Sequence, residues 1–321
     1  PTLELMPLVD KALLAQYLYL KKSKAVIPCA PLWKEQFNQD LQMSLPSMAI
    51  GRLESKVEIF TALLDDLNQD WNQAFYIQLS KYFGGTTNKA TFERLGKIIP
   101  FNLFSKNNYD PLRIEALLFG IAGFLHNTTI TDDYYLALQR EYDVQKAKYT
   151  LHEIYPHEWK FGKMLPAGFP TIRLAQLAAL MTKYQDMAER LLSIDQLNDI
   201  YELFDTQPHP YWKTHYVFGN EVKSKNTLLT HEFIDRLIIN ALVPFYFAYG
   251  KLRSQDQYID FALDILDKVK TEKNAVIKIY HNLGYQPKTA TDSQGLLHLY
   301  QELCSKKNCT SCGIGRKLLC K

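Results

Sequence analysis

One stretch of this chain decides its fold class, Ile50-Gly-Arg-Leu-Glu-Ser-Lys-Val-Glu-Ile-Phe-Thr-Ala-Leu-Leu-Asp-Asp-Leu67. Its apolar residues recur at intervals of three and four, and charged residues stand between them. An α-helix of about 3.6 residues per turn brings residues with this spacing onto one face. The stretch therefore predicts an amphipathic helix with one buried side.

The same period returns along most of the chain, and windows that alternate apolar and polar residues are rare. Asp110-Pro111 begins one helix clearly, because aspartate caps a helix N-terminus and proline fits the first turn. The other segments with the helical period are 7–23, 70–83, 88–99, 132–150, 256–270 and 291–304. We therefore predict an all-α fold, an irregular multi-helix array of roughly a dozen helices.

Two long aromatic-rich loops interrupt the helices, at about 151–171 and 205–227. Both hold too many rings for free linkers, so we expect them to pack against helices. The first loop divides the chain into an N-terminal helical half, 1–150, and a C-terminal helical half, 151–303, packed against it. A cysteine-rich basic tail follows at 304–321.

The composition is that of an ordinary globular chain of 321 residues, of which 47% are hydrophobic and 22% charged. A chain of this length buries enough apolar surface to fold without disulfides or metal. It has no run of about eighteen apolar residues, so we expect no membrane segment. It begins at Pro1 without a methionine or a signal peptide, so we expect a processed product or a piece of a longer protein. Four of the five cysteines are gathered near the end rather than spread as in disulfide scaffolds, which favours the cytoplasm.

The most specific chemical feature is the spacing Cys304-x4-Cys309-x2-Cys312-x7-Cys320. A Cys-x2-Cys pair lets two thiolates from one tight turn bind one metal, and two further ligands complete a tetrahedral site. Four sulfurs suit zinc or an iron–sulfur cluster. The lysines nearby are expected to lower the pKa of the thiols. The alternatives are uncoordinated thiols in a frayed tail, and a disulfide such as Cys309 to Cys312.

Positive charge is concentrated in the same tail. The whole chain has a net charge of +3, whereas the tail has five basic residues and no acidic residue. We expect Lys306, Lys307 and Arg316 to contact phosphate groups if the chain binds nucleic acid.

A candidate anion site begins the helix that follows the first loop. We expect Thr171 to be its N-cap and Arg173 to lie in its first turn. A cation in the first turn opposes the helix dipole. Arg173 is therefore expected to have a carboxylate partner, or to bind an anion together with the free backbone N–H groups.

A second candidate binding segment is Trp212-Lys-Thr-His-Tyr216. Trp212 and His215 offer rings on which bases can stack, beside a lysine. Such a run also serves to anchor a loop in the core through its rings.

Two features are expected to shape the helices. Gly120 and Gly123 permit close packing of helices, and Pro244 leaves the Asn240 carbonyl without its usual helical partner. The chain contains none of the motifs Gly-x4-Gly-Lys-Ser/Thr, Gly-x-Gly-x2-Gly, His-Glu-x2-His or Gly-x-Ser-x-Gly. No catalytic constellation can be picked out, so an enzymatic activity is left open.

The chain resembles the bacterial domain-of-unknown-function family 2851 along nearly its whole length. The segments that carry the resemblance are Pro1-Thr-Leu-Glu-Leu5, Ile27-Pro-Cys29, Ile114-Glu-Ala-Leu-Leu-Phe-Gly120, Phe169-Pro-Thr-Ile-Arg173, Tyr211-Trp-Lys-Thr-His-Tyr216, Val243-Pro-Phe-Tyr-Phe-Ala-Tyr-Gly250, Asp292-Ser-Gln294 and the cysteine tail. The resemblance implies a further N-terminal domain, similar to nucleases of the restriction-endonuclease type, that is missing from this chain. It also offers Cys29 as a fourth metal ligand beside the first three cysteines of the tail, in competition with Cys320.

These observations lead to one main hypothesis and two others. The main one is a non-catalytic helical accessory domain of a nuclease-like protein, with a Cys-bound metal and nucleic acid as a partner. The alternative is a helical protein–protein interaction scaffold without a nucleic-acid role, whose aromatic loops form the binding surface. An enzyme would need a deep pocket in which Arg173, His215 and Asn240 converge.

Overall fold

The structure is a computed structural model and describes residues 10–319. Helices hold 66% of the described residues, which contain a single sheet of two short strands, so the predicted all-α class is confirmed. The α-helices are α1 Lys11–Lys22, α2 Phe37–Asp66, α3 Trp71–Phe83, α4 Lys89–Ile98, α5 Asn102–Lys106, α6 Pro111–Ile121, α7 Asp133–Lys148, α8 Pro170–Lys183, α9 Met187–Leu192, α10 Leu197–Leu203, α11 His231–Leu237, α12 Val243–Arg253, α13 Asp256–Lys268, α14 Ala275–Asn282, α15 Ala290–His298 and α16 Gly313–Leu319. The strands are β1 His215–Val217 and β2 Asn220–Glu221, which pair antiparallel.

Contacts between residues divide the chain into two compact units. The smaller unit combines both ends of the chain, residues 1–59 and 250–321, and the larger unit is the continuous segment 60–249. The chain passes between the units within helices α2 and α12. The predicted halves, 1–150 and 151–303, have other boundaries and stay a prediction.

Helix α2 contains the apolar stripe that predicts it. Leu53, Phe60 and Leu64 are no more than 2% exposed. Glu54 and Glu58, which stand between the apolar positions, are exposed. Burying an apolar side chain of this size stabilises the fold by about 1.5–3 kcal/mol, so the stripe holds this helix in place. The predicted amphipathic helix is confirmed.

Helix α6 begins as the sequence predicts. The Asp110 carboxylate accepts a hydrogen bond from the Arg113 backbone N–H at 3.0 Å, and Pro111 occupies the first helical position. All residues of Ile114–Ile121 are buried. This helix therefore lies inside the larger unit, and its carboxylate Glu115 is buried with its apolar neighbours.

Gly120 allows helix α7 to pack closely against α6. A Cβ atom at this position would lie 2.1 Å from Cδ2 of Tyr142, a distance that atoms cannot adopt. The Tyr142 ring is 2% exposed, and its hydroxyl donates to a Glu153 carboxylate oxygen at 3.0 Å. The expected role of Gly120 in close packing is thus confirmed. Gly123 has a different role, because it has a φ of +76° and a Cβ there would lie 2.3 Å from the Ile154 carbonyl oxygen.

Replacing Gly120 by alanine is expected to lower the free energy of unfolding by about 1–3 kcal/mol, because the added methyl group displaces a buried ring. Urea denaturation followed by circular dichroism measures the change. The matched control is Gly162→Ala, since a Cβ at Gly162 meets no atom within 4 Å. Equal stability of the two variants would contradict the close packing.

Pro244 follows a local change of helix type. The segment Ile238–Leu242 is π-helical and lies between α11 and α12. The wider hydrogen-bonding pattern of a π-helix lets the chain pass a proline, which has no N–H to donate. The Asn240 side-chain amide also donates to the Arg236 carbonyl at 3.0 Å. The expected irregularity in the hydrogen bonding is therefore confirmed, and it takes the form of a π-helical segment.

Both aromatic-rich loops are anchored by buried tryptophans in the larger unit. Trp159 is 4% exposed, and its indole N–H donates to the Ala122 carbonyl at 2.8 Å. Trp212 is fully buried, and its indole N–H donates to the Tyr134 hydroxyl at 3.1 Å. The expected packing of these loops against helices is confirmed. Between residues 10 and 319, no helix is both long and apolar enough to cross a membrane.

Candidate metal centre and basic face

The cysteines of the candidate metal centre come from three segments of the smaller unit. Cys29 lies in a tight turn, in which its carbonyl accepts a hydrogen bond from the Leu32 N–H at 2.9 Å. Cys304 ends a π-helical segment, Leu299–Cys304, that continues helix α15. Cys309 begins a 3-10 turn, and its carbonyl accepts a hydrogen bond from the Cys312 N–H at 3.2 Å.

Helix α15 positions Cys304 because it is bound closely to α2. A Cβ at Gly295 would lie 2.6 Å from the Leu45 carbonyl oxygen, so the two helices touch through their backbones. The Gln42 amide donates to the Asp292 carboxylate at 3.1 Å, and the Arg52 guanidinium donates to Gln294 at 2.8 Å. Hydrogen bonds depend on the direction of donor and acceptor, so these contacts fix the position of α15 along α2.

The four cysteines of the described residues belong to, or pack against, one hydrophobic cluster of the smaller unit. Cys29 lies close enough to the other three thiols, Cys304, Cys309 and Cys312, for their charges to interact. Cys29, Cys309 and Cys312 are each no more than 9% exposed, and Cys304 packs beside them. All four are free thiols, so the expected alternative of a disulfide between Cys309 and Cys312 is wrong.

Tyr280 of helix α14 borders the same cluster. Its hydroxyl lies 3.5 Å from the sulfur of Cys304. Burial raises the pKa of this tyrosine well above its usual value, and negative charge on Cys304, Cys29 or Cys312 would raise it further. Sequence analysis missed Tyr280, because nothing in its local pattern separates it from an ordinary buried aromatic residue.

Burial controls the ionisation of these thiols. It raises the pKa of both Cys29 and Cys304 to about 12. The pKa of Cys309 is also raised, first by burial and then by Cys312, although Lys21 and Lys307 act in the opposite direction. The expected lowering of thiol pKa by lysines is therefore wrong in its net effect, because desolvation of the thiols outweighs the effect of these two cations.

The tail is folded against the smaller unit as far as it is described. A Cβ at Gly315 would lie 2.1 Å from the Cys309 carbonyl oxygen, so the α16 backbone touches the turn that carries the Cys-x2-Cys pair. Ile314 and Leu318 are buried in the same cluster as the cysteines. The expected alternative of a frayed tail is thus wrong for residues 304–319. Cys320 lies outside the described residues.

The four cysteine sulfurs do not have the geometry of a completed metal site. Within the described part of the chain, no group of three or more Cys, His, Asp or Glu side chains is placed so that it could hold a metal ion. Metal binding would require the four sulfur atoms to move to about 2.3 Å from one ion. The set of four thiols in a buried cluster is suited chemically to zinc or to an iron–sulfur cluster.

Two basic residues of the tail, as far as residue 319, form ion pairs with acidic side chains. Lys306 forms an ion pair with Glu302, and Lys317 forms one with Asp40. Such exposed pairs contribute at most about 1 kcal/mol and leave little net charge at that point.

The other cations of the tail up to residue 319 are Lys307 and Arg316, and both belong to segments that contact helix α1. The Lys307 ammonium donates to the Lys21 carbonyl at 2.9 Å, and Lys21 and Lys22 are exposed in the last turn of that helix. Arg316 of α16 is exposed too, and α16 contacts α1. We call Lys21, Lys22, Lys307 and Arg316 the basic face.

Among residues 10–319, Arg173 has no carboxylate partner, and Thr171 is not the N-cap that sequence analysis expects. Helix α8 begins at Pro170, two residues earlier than expected, and the Thr171 hydroxyl donates to the Tyr216 carbonyl instead of capping the helix. The Arg173 guanidinium lies 3.5 Å from the centre of the Phe233 ring and donates to Gln176 at 2.8 Å. Its pKa is lowered to about 9, first by burial and then by the nearby Arg236. Anion binding by Arg173 stays a prediction.

Trp212 and His215 lie in one cluster of aromatic rings, but only His215 is accessible. Trp212 stacks on Phe119 with ring centres 5.1 Å apart, inside the larger unit. His215 stacks on Tyr211 with ring centres 3.8 Å apart and is half-buried. The core-anchoring alternative therefore describes Trp212, and its stacking on bases would require the loop to open.

A model of one protein family matches residues 1–275 of the chain, and that family is described as a protein of unknown function, DUF2851. The chain belongs to the DUF2851 family. The predicted resemblance is confirmed over those residues, whereas the cysteine tail at 304–321 lies beyond them. No curated protein and no solved structure matches the chain.

Proposed function

We propose that this DUF2851 chain is a non-catalytic accessory part of a nuclease-like protein, and that its smaller unit binds nucleic acid beside a Cys-bound metal. The observation that carries the proposal is the meeting of Cys29 with the three cysteines of the tail next to the basic face. Four free cysteines, one at residue 29 and three after residue 303, pack together in one part of the fold. Packing of free thiols that are distant in sequence supports metal binding.

Zinc or an iron–sulfur cluster would serve a structural role here. Four thiolates would complete the coordination of either, leaving no open position for a substrate. The metal would fasten the Cys309–Cys312 turn to Cys29 and so hold α16 and its exposed Arg316 in place. The free thiols also fit a reducing compartment, so we place the protein in the cytoplasm.

The basic face is the proposed contact with nucleic acid. Its cations come from the end of α1 and from the tail, and Lys21 and Arg316 are exposed. Because each phosphate contact releases a counterion, a site with three contacts is expected to weaken by about fortyfold between about 50 and 200 mM salt. The protein-scaffold alternative is less favoured, since the indoles of Trp159 and Trp212 are buried rather than displayed.

The double variant Lys21→Ala/Arg316→Ala is expected to weaken binding of labelled single-stranded DNA, duplex DNA or RNA by about tenfold or more, because it removes two exposed phosphate contacts. Fluorescence anisotropy at the two salt concentrations measures this. Lys223→Ala is the matched control, because Lys223 is an exposed lysine of the larger unit. Absence of binding even at low salt, or equal losses in the control, would remove the nucleic-acid role.

A further inference from the structure

The larger unit contains a cleft of about 290 Å³ that the proposed function does not use. Its walls come from the beginning of α6, the middle and end of α8, and the loop around Pro208. Glu115, Thr182, Gln207, His209 and Lys213 provide its polar groups, and prolines and an alanine provide the rest. Ligand pockets usually hold about 300–1,000 Å³, so this cleft, at the lower limit of that range, suits a small ligand.

Glu115 is a buried carboxylate in this cleft without a cationic partner. Its side chain is 4% exposed, and no positively charged group contributes to its ionisation. Burial raises the pKa of Glu115, and the Tyr134 hydroxyl and the His209 backbone N–H, which lie nearby, lower it to a smaller extent. The Tyr134 oxygen accepts a hydrogen bond from the indole N–H of Trp212 at 3.1 Å.

The Glu115 carboxylate has acceptor positions that a ligand can use. A carboxylate has about four lone-pair sites, more than the two neighbouring protein donors could occupy. A buried carboxylate is costly unless hydrogen-bond donors surround it. Burial raises the pKa of Glu115 to about 7, which reflects this incomplete compensation. A ligand that supplies N–H groups would complete it.

His209 gives the cleft a flat wall. One face of its ring is covered by Tyr134, since the two ring centres are 4.2 Å apart and the planes differ by 7°. Tyr134 lies 4.7 Å from Tyr211, which stacks on His215, so His209 is the end of a pile of four rings. His209 is nevertheless exposed and lines the cleft, so the opposite face or edge of its ring is free to contact a ligand.

His209 and Lys213 also define the charges at the entrance. The His209 Nδ1 atom accepts from the Tyr211 N–H at 3.3 Å, so the ring proton is on Nε2. Burial lowers the pKa of His209, which keeps the ring neutral near pH 7. Lys213 is exposed and lines the same cleft, so it offers a positive charge to an anionic group of the ligand.

We propose that this cleft binds a nucleotide base that carries adjacent N–H donors, with guanine as the preferred base. The base would continue the ring stack on His209, donate its ring N–H and exocyclic amine to Glu115, and place its phosphate near Lys213. Uracil has one N–H between two carbonyl oxygens, which the carboxylate repels. The inference is independent of the proposed metal and basic face, because all these residues belong to the larger unit.

Isothermal titration calorimetry with GMP, AMP, CMP and UMP on the full chain tests this site. We expect GMP to bind at least about tenfold more tightly than UMP, because two charge-assisted hydrogen bonds are at stake. Glu115→Gln should remove this preference, and Lys213→Ala should weaken GMP but not guanosine. His209→Ala should weaken all four nucleotides and His209→Phe should restore them. Glu189→Gln, in a separate cleft, is the matched control and should change nothing.

The ionisation of Glu115 gives a second readout. Donated N–H groups favour the ionised carboxylate, so GMP binding should strengthen as the pH rises from about 6 to 8. The titratable groups that face Glu115 are Tyr134, His209 and Lys213; the lining residues of α8, Ala179 and Thr182, do not titrate. Thermal melts show whether each variant is folded.

Two outcomes would overturn the proposal. One is that no nucleotide binds, or that UMP binds as tightly as GMP. The other is that agmatine, a small cation without a base, binds more tightly than every nucleotide, which would make the cleft an amine site. A nine-nucleotide oligothymidylate with one central guanosine, compared with pure oligothymidylate, distinguishes a base within a strand from a free mononucleotide.

Discussion

Replacing Cys29 by serine is expected to remove stoichiometric metal from the protein and to lower its stability. Cys29 is the one proposed ligand that does not come from the tail, so its loss removes the proposed metal-mediated link between the tail and the rest of the smaller unit. At a metal concentration a thousand times the dissociation constant, bound metal adds about 4 kcal/mol to the free energy of unfolding. The variant should lose that amount.

The measurement is metal content and absorption spectrum, on protein purified without oxygen and without chelator, followed by urea denaturation. Cys320→Ser is the matched control, because sequence analysis offers Cys320 as the alternative to Cys29 for the fourth metal ligand. We expect the control to keep its metal. If Cys320→Ser loses the metal and Cys29→Ser keeps it, the ligand assignment is wrong. If the wild-type protein holds no metal and all five thiols titrate, the metal centre itself is wrong.

Replacing Trp212 by alanine is expected to lower the free energy of unfolding by about 3–5 kcal/mol. Trp212 is fully buried, and its ring contacts Phe119 at 5.1 Å and Phe218 at 5.0 Å between ring centres. Its indole N–H also donates to Tyr134, so the change leaves a cavity and removes a buried hydrogen bond. Urea denaturation monitored by circular dichroism gives the value.

The neighbouring Lys213→Ala provides the control for this measurement. Lys213 is exposed, and surface substitutions of this kind change stability by less than about 0.5 kcal/mol. A loss below about 1 kcal/mol in Trp212→Ala would contradict the core role and return Trp212 to the candidates for base stacking.

Local signals predicted the helices well because each is complete within a few residues. The spacing of Leu53, Phe60 and Leu64 is enough to define a buried helix face, and Asp110 needs only the N–H groups that follow it. Gly120 was predicted from a pair of glycines in an apolar run, and the Tyr142 ring explains it.

The sites were harder to predict because their residues are far apart in the chain. Sequence analysis expects Arg173 to pair with a carboxylate. Its guanidinium instead lies on the ring of Phe233, which is about sixty residues further along the chain, and near a second arginine, Arg236. Sequence analysis does not single out Glu115, which lies in an otherwise apolar helix. A carboxylate within an apolar run is a signal of a candidate site, since burying a carboxylate without a partner is costly.

The sequence by itself determined that this protein is helical, where its amphipathic faces lie, and that its last cysteines have metal-ligand spacing. Those properties depend on periods and turns of a few residues, which the chain carries locally. Only the tertiary structure decided that Cys29 joins the tail, that Trp212 is buried, and that Glu115 faces a cleft with His209. These outcomes depend on which helices pack together, and that choice is made by side-chain fit and desolvation across the whole fold.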